Sequence, residues 1–402
     1  MNKIEILESA KEIEAEITEI RRYLHQNAEV GFELENTVKF VKNKLNEMGV
    51  DCKRCGRAGL RAEIGHAGEK TVLLRADMDA LPISENSGEE FASNGGTMHA
   101  CGHDMHTAML IGAAKILKTH EAELGGKVVF MFEPAEELLA GARDMIEAGI
   151  LDPKPAAAMM LHVMTGIPLE TGSVVVSSGG VSAPAADYFE ITVKGKGCHG
   201  STPNAGVDPI TAAANIITGL HNIKSMELSM SERAALTIGK VSAGNSANVI
   251  PDTATLAGTM RAFDEDTRTF MKKRICEMVE LVAKALRAEA KVEFISGCPS
   301  LLNDDKLSES VYGYARELFG DDKAFTSDEL MAKSDRESQT SGSEDFAYIS
   351  REVPSIMVAL AAGKREDGYV YPLHHPSVRF DEDALVNGSA LFAYTAIRFL
   401  EK

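Results

Sequence analysis

The sequence predicts an α/β fold with a second domain inserted into it. Short apolar runs rich in Val, Ile and Leu alternate with helix-patterned stretches. Each of those runs stops abruptly, several of them at acids or a histidine, as strands do in a sheet covered on both faces. The segment from Asp187 to Ile295 changes character and reads as a β-α-β-β-α-β unit able to bury its own core.

The first fifty residues read as helix. Ile13, Ile17, Ile20 and Leu24 recur at three- and four-residue steps, and so do Val38, Val41 and Leu45. Thr71 to Ala76 then runs into Asp77-Met78-Asp79, and Lys127 to Phe132 into Glu133-Pro134-Ala135-Glu136-Glu137. Ala156 to Leu161 runs into His162, and Ser355 to Leu360 into Ala361-Ala362-Gly363. Thr107 to Thr119 and Ala140 to Ala148 are helical in pattern. In such sheets ligand chemistry collects at the carboxyl ends of strands, where these acids and the histidine stand.

Within the inserted segment, Asp187 to Lys194 alternates as a strand and Asp208 to Ile223 is helical. Ala234 to Val241 and Ala254 to Ala262 are strands, Asp264 to Ala288 is a long amphipathic helix, and Lys291 to Ile295 is a last strand. The expected domains are 187–296, inserted, and a discontinuous outer domain of 1–186 and 297–402. The polar stretch Ser327 to Glu344 reads as an exposed loop.

At 402 residues and roughly 150 per domain, two or three domains are expected. A net charge of -18 argues against a general partnership with nucleic acid or anionic membrane, both of which need basic surface. No run of 18 apolar residues exists to span a bilayer. The charged, helix-patterned start lacks an apolar export segment, so a cytoplasmic location is expected. Six cysteines are sparse, and the lone C-x-x-C of Cys52 and Cys55 reads as two reduced thiols.

The densest chemical cluster is Met98-His99-Ala100-Cys101-Gly102-His103-Asp104-Met105-His106, just before a helix. Imidazole and thiolate are zinc-type ligands, and a helix N-terminus favours the thiolate. The same run also suits a plain helix start capped by Asp104, with solvated histidines. In Glu133 to Glu137, neighbouring carboxylates point to opposite sides if the segment is extended and diverge by about 100° if it is helical. His162, read alone, is more often a satisfied core residue than a ligand, and His374-His375 before Pro376 is open. Together, Cys101, His103, Glu137, His162 and His374 supply five ligands from four segments, with Glu136 left over. Five are too many for one tetrahedral zinc and suit two metals sharing a ligand and a water.

On these motifs the chain resembles the dinuclear metal-dependent aminoacylase and carboxypeptidase superfamily. The branch it is most similar to acts on N-acyl amino acids: hippurate hydrolase, auxin-conjugate hydrolases and N-acetyl-diaminopimelate deacetylase. The motifs begin with I-R-R-Y-L-H-Q-N-A-E-V-G-F-E from Ile20, R-A-D-M-D-A-L-P from Arg75 and G-T-M-H-A-C-G-H-D-M-H-T-A from Gly96. E-P-A-E-E from Glu133, G-C-H-G-S-T-P from Gly197, N-V-I-P-D from Asn248 and G-T-M-R from Gly258 follow. G-S-E-D-F from Gly342 and L-H-H-P from Leu373 complete the series over nearly the whole chain.

The resemblance implies a mixed sheet flanked by helices as a metal-dependent catalytic domain, with a ferredoxin-like lid inserted. It implies two divalent ions per subunit (zinc, manganese, cobalt or nickel). Cys101 would bridge them, and His103, Glu137, His162 and His374 would be the other ligands. Glu136 would be the general base toward a metal-bridging water, and Asp77 would orient a ligand histidine. His199, Asn248 and Arg261 would bind substrate, His199 as a donor to the oxyanion and Arg261 as a clamp on a free carboxylate. Read alone, Arg261 is by default a solvated arginine, Asn248 is equally a turn residue, and His199 lies in a glycine-flanked loop, a setting that favours function.

The implied reaction is cleavage of an N-acyl or N-aroyl amino acid to a carboxylate and an amino acid. The alternatives are a dipeptidase or carboxypeptidase of the same superfamily, a thiol hydrolase using Cys101, and a non-catalytic conjugate-binding protein. A homodimer through the inserted domain is also expected, and Gly179-Gly180 and Gly297, near the crossings between domains, lead to an expected hinge closure on substrate. Three positions depart from the pattern: Arg75 stands where distant relatives carry a histidine ligand, Glu133 replaces a glutamine, and Met105 a glycine.

Overall fold

A computed structural model describes residues 2–66, 70–333 and 342–401. They divide into two compact units. The larger takes the described residues of Met1–Ser182, Leu302–Gln339 and Asp345–Lys402, and the smaller takes Ala183–Leu301 with 342–344.

The larger unit is built on an eight-stranded mixed sheet. Its strands run in the order Cys52–Cys55, Gly59–Gly65, Lys127–Glu133, Thr71–Asp77, Ala157–Met164, Ser355–Ala361, Val174–Val176 and Ala324–Thr326. The central four are mutually parallel, and the first hairpin adds antiparallel to their edge. Strand alternation sorts the side chains. Val72, Leu74, Ala76, Val128, Phe130, Phe132, Met159, Leu161, Ile356 and Val358 enter one core with helices His103–Thr119 and Ala384–Glu401. Arg75, Asp77, Glu133 and His162 fall on the alternate positions, so the polar groups share the opposite face.

Three helices, Lys3–Glu12, Glu14–Gln26 and Glu35–Glu47, occupy the N-terminal region. The first opens with a reciprocal cap, Asn2 accepting from the Glu5 amide while its own amide donates to the Glu5 carboxylate. The stretch from Ser327 is corrected from loop to helix over Ser327–Lys333. Thr326 and Glu329 cap it mutually through side chain and amide, a T-x-x-E signal that the polar composition masked. Residues 334–341 of that expected loop lie outside the described residues. No described helix is long and apolar enough to cross a membrane.

The N-terminal helices hold helix His103–Thr119 through buried charge. Arg21 Nε donates to Asp104 Oδ2 at 2.7 Å, and Arg21 Nη1 to Glu382 at 3.0 Å. His25 Nδ1 lies 2.9 Å from Asp104 Oδ2, and its Nε2 3.0 Å from Glu85. Burial works against a charged His25, yet Asp104 and then Glu85 outweigh it and raise its pKa to about 9. A raised folded-state pKa contributes stability that is complete below the unfolded value near 6.5 and is lost as pH rises through about 9. The expected contribution is on the order of 3 kcal/mol. Thermal unfolding of wild type and His25→Asn is therefore expected to differ most at pH 6 and to converge by pH 10. A gap that widens with pH would refute this assignment.

The smaller unit has the order β-α-β-β-α-β. Its antiparallel sheet runs Ala234–Ala243, Thr253–Ala262, Ala185–Lys194, Glu289–Cys298. Helices Pro209–Asn222 and Glu265–Ala285 are capped by Asp208 and Asp264 and cover one face. Phe189, Ile191, Val193, Leu256 and Met260 meet Ala212, Ile216, Met271, Ile275 and Val279 there. This is the split βαβ arrangement with its own core.

Candidate functional site

Asp77, Glu133 and His162 stand at or near the carboxyl ends of three adjacent parallel strands. Helix His103–Thr119 begins over them. Gly102 precedes it at φ 84°, and a Cβ there would come within 2.4 Å of Val163 Cγ2. Only glycine combines that backbone with that approach, which seats Cys101 and His103 beside the strand carrying His162.

The Cys101 sulfur lies 3.6 Å from His162 Nε2 and 3.3 Å from His374 Nε2. His374 Nε2 is also 3.3 Å from Glu137 Oε1. His103 Nε2 is 4.0 Å from both Glu136 Oε2 and Glu137 Oε1. Two three-donor groups share the sulfur: Cys101, His103 and His162, and Cys101, Glu137 and His374, each with its atoms within 4.8 Å of one another. The six residues named from the sequence thus surround one point, although their segments are far apart in the chain.

Hydrogen bonds decide which imidazole nitrogens are open. His103 Nδ1 lies 2.8 Å from the Asp79 carbonyl and His162 Nδ1 2.8 Å from the Val163 carbonyl. A carbonyl only accepts, so both Nδ1 atoms carry the proton and both Nε2 atoms offer a lone pair. His103 Nε2 is buried with no hydrogen-bond partner among the described residues. His106 is the reverse case. The Val163 amide donates to its Nε2 at 2.9 Å, and its Nδ1 lies 2.6 Å from Asp77 Oδ1. Both of its nitrogens are spent, so His106 braces the His162 strand. His99 is buried and outside these groups, and burial pushes its pKa down to about 3.

The electrostatics ask for positive charge. Asp77 is held well below the usual carboxylate range, where His103, Arg75 and His106 outweigh burial. His103 is pushed up because Asp77 and Asp79 overcome its burial. His374 rises to about 10 through its contacts with Cys101 and then Glu137. Cations at these donors would displace those protons. Buried sulfur, open imidazole nitrogens and carboxylate oxygens are a donor set that fits divalent cations of zinc type.

Several expectations change. Asp104 does not cap the helix; it is the second helical residue and pairs with Arg21 and His25. Cys101 is not lowered by the helix start, because burial raises its pKa against the effect of His103 and His374. Glu136–Leu138 is a single 3₁₀ turn, neither extended nor α-helical, so the adjacent carboxylates diverge by about 120°. Asp77 contacts His106 closely, whereas its nearer oxygen is 3.7 Å from His103 Nε2. Glu133, which stands where the pattern has a glutamine, accepts from Arg75 Nε at 2.6 Å through Oε2, and both side chains are fully buried.

Asp79 is the residue the sequence reading missed. Its carboxylate accepts from the Glu136 and Glu137 amides at 3.0 and 3.4 Å, and its carbonyl takes His103. Ala135 at φ 55° aims those amides at it, a left-handed alanine costing about 1–2 kcal/mol. The available signal was the second aspartate of D-M-D. Asp345, in the G-S-E-D-F motif, receives the Ala142 amide at 3.1 Å and Arg75 Nη2 at 3.4 Å.

In the smaller unit, His199 pairs with Val249 in a two-residue ladder, and the Gly200 amide donates to the Asn248 carbonyl at 2.7 Å. His199 and Asn248 are therefore neighbours. The Ser201 amide donates to His199 Nδ1 at 3.2 Å, leaving Nε2–H as a donor. Ser246 donates to Asn248 Oδ1 at 2.6 Å, which leaves the Asn248 amide protons available. Arg261 sits on the main sheet of that unit, outside the ladder.

The chain is similar to known proteins along nearly its whole length. Residues 73–398 match Peptidase family M20/M25/M40. The chain is 36% identical over 395 residues to N-acetylcysteine deacetylase of Bacillus subtilis (strain 168), covering 97% of this chain and 98% of the relative. It is 35% identical over 405 residues to an IAA-amino acid hydrolase of Arabidopsis thaliana, covering 99% and 88%. A crystal structure of a Bacillus subtilis protein described as a dinuclear metal binding peptidase superposes with a TM-score of 0.78 at 34% identity, covering 97% and 99%. The chain therefore belongs to Peptidase family M20/M25/M40 and is a hydrolytic enzyme acting on amide bonds.

Proposed function

We propose that this enzyme hydrolyses N-acyl or N-aroyl amino acids to a carboxylate and a free amino acid. The observation that carries the reading is the convergence of Cys101, His103, Glu137, His162 and His374, with the Glu136 carboxylate beside them. The relatives named for N-acetylcysteine and for IAA-amino acids support the substrate class. Two divalent cations of zinc, manganese, cobalt or nickel type, held by those five residues, would supply Lewis acidity.

The remaining steps fall to the chain's own groups. Glu136 takes a proton from the attacking water and returns it to the leaving amine, so one carboxylate serves both steps. Its amide is anchored on Asp79, which limits where the carboxylate can swing. His199, in the tautomer that Ser201 sets, donates from Nε2 to the developing oxyanion. Asn248 offers its amide protons, and Arg261 binds the free carboxylate of the amino acid. The reading includes a lid role for the smaller unit and a homodimer formed through it; the edge strand Ala234–Ala243, with Val241 exposed, supports the latter.

The test is a panel of N-acetyl and N-benzoyl amino acids against dipeptides, run before and after chelator dialysis. Acyl amino acids are expected to be the better substrates, with turnover lost on chelation and restored by added divalent cation. Rates unaffected by chelation, or labelling of Cys101 as an acyl-enzyme, would refute the metal reading. Superior dipeptide hydrolysis would make the enzyme a dipeptidase, and metal-loaded protein with no turnover a binding protein.

A further inference from the structure

Arg261 lies on the sheet face of the smaller unit opposite its helices. Phe189, Ile191, Leu256 and Met260 point into the helix-covered core. Tyr188 and Thr259, paired across the two central strands, therefore point the other way, as does Arg261 two residues beyond Thr259. Arg261 Nη2 donates to Tyr188 Oη at 3.0 Å, and Nη1 donates to Thr259 Oγ1 and, at 3.1 Å, to the Met260 carbonyl. The guanidinium carbon is 5.1 Å from the Tyr188 ring centroid.

The charge on this arginine is left uncompensated. Arg268 in the same unit is gripped by Asp187 at 2.7 and 2.9 Å, and Arg274 by Glu227 at 2.6 and 3.0 Å. Among the described residues, no carboxylate lies within ion-pair distance of Arg261. Two neutral hydroxyls and the Met260 carbonyl hold it instead. A hydroxyl that accepts from a guanidinium must direct its own proton elsewhere. Tyr188 is 41% exposed, so its proton is free to meet a ligand beside the guanidinium. A fixed cation flanked by outward O–H donors is a receptor for a carboxylate.

We infer that Tyr188 is a specificity-determining residue: it holds the Arg261 guanidinium in place and donates its own O–H to the free carboxylate of the N-acyl amino acid. This rests on the reading that Arg261 binds that carboxylate. It adds a second donor from the neighbouring strand, so selectivity for a free carboxylate over an uncharged terminus depends on both residues.

The experiment compares kcat/KM for an N-acetyl amino acid and for its carboxamide in wild type, Tyr188→Phe and Arg261→Met. Wild type is expected to favour the carboxylate. Arg261→Met should erase the preference. Tyr188→Phe, which keeps the ring and removes only the hydroxyl, should shrink it about tenfold, through KM for the carboxylate rather than kcat. A purely structural tyrosine would shift both substrates alike and leave the ratio unchanged. A ratio within twofold of wild type in Tyr188→Phe, with the preference erased in Arg261→Met, would overturn the role of Tyr188 and leave that of Arg261 standing. An unchanged ratio in Arg261→Met would overturn both.

Discussion

Glu136→Gln is expected to lower turnover of an N-acyl amino acid by about 10²–10⁴ while leaving bound metal unchanged. The substitution keeps the side chain's shape and removes its capacity to take a proton. It leaves the backbone untouched, so the Glu136 amide still donates to Asp79 and the 3₁₀ turn persists. Glu136 stands beside His103 and Glu137 but in neither group that shares the sulfur, and an amide keeps an oxygen at that place, so metal content should hold. Glu137→Gln makes the contrast, because Glu137 Oε1 is 3.3 Å from His374 Nε2 and belongs to such a group. That variant should lose metal as well as rate. Parallel kinetics and elemental analysis separate the two. A Glu136→Gln enzyme turning over at the wild-type rate would place the base elsewhere.

The second large effect concerns stability. Arg75→Met is expected to cost about 3–5 kcal/mol, seen as a fall in Tm of at least about 6 °C. Arg75 is fully buried and donates to Asp77 at 2.7 Å, to Glu133 at 2.6 Å and to Asp345 at 3.4 Å. Burial and the neighbouring Glu133 already push the Asp345 pKa well up, so this pocket has little tolerance for further negative charge. Removing the shared guanidinium strands the carboxylates without solvent. Arg75→Lys should recover only part of the loss, since an ammonium cannot span three acids in one plane. Adding Glu133→Gln to Arg75→Met should recover part of it too. An unchanged Tm in Arg75→Met would show that the cluster contributes nothing.

Arg75 also shows where sequence reading stops. In the sequence, Arg75 and Glu133 stand out only as two departures from the motif pattern, in separate segments. Only the fold puts both on the same sheet face, where each offsets the other. Asp79 was missed for a related reason. Its role depends on the left-handed Ala135 turning two amides back toward it. No local propensity predicts that conformation.

Among the elements, the buried central strands were the most legible. A strand covered on both faces is mostly apolar, and the region of its carboxyl end shows as a change to polar residues such as Asp77, Glu133 and His162. The hairpin Cys52–Cys55 with Gly59–Gly65 was not legible, because Cys-Lys-Arg-Cys carries no β-branched enrichment. Helix Ala384–Glu401 was overlooked for the opposite reason: it is buried on most sides, so it shows no clean polar stripe.

By itself the sequence determined the α/β class, the β-α-β-β-α-β segment and the residue types able to bind cations, since periodicity and donor chemistry are local properties. Tertiary structure alone decided which nitrogen of His103 and of His162 is open, that His106 braces a strand, and which acids Arg75 neutralises. Those outcomes depend on carbonyls, amides and charges brought in from distant segments, and no window of sequence contains them.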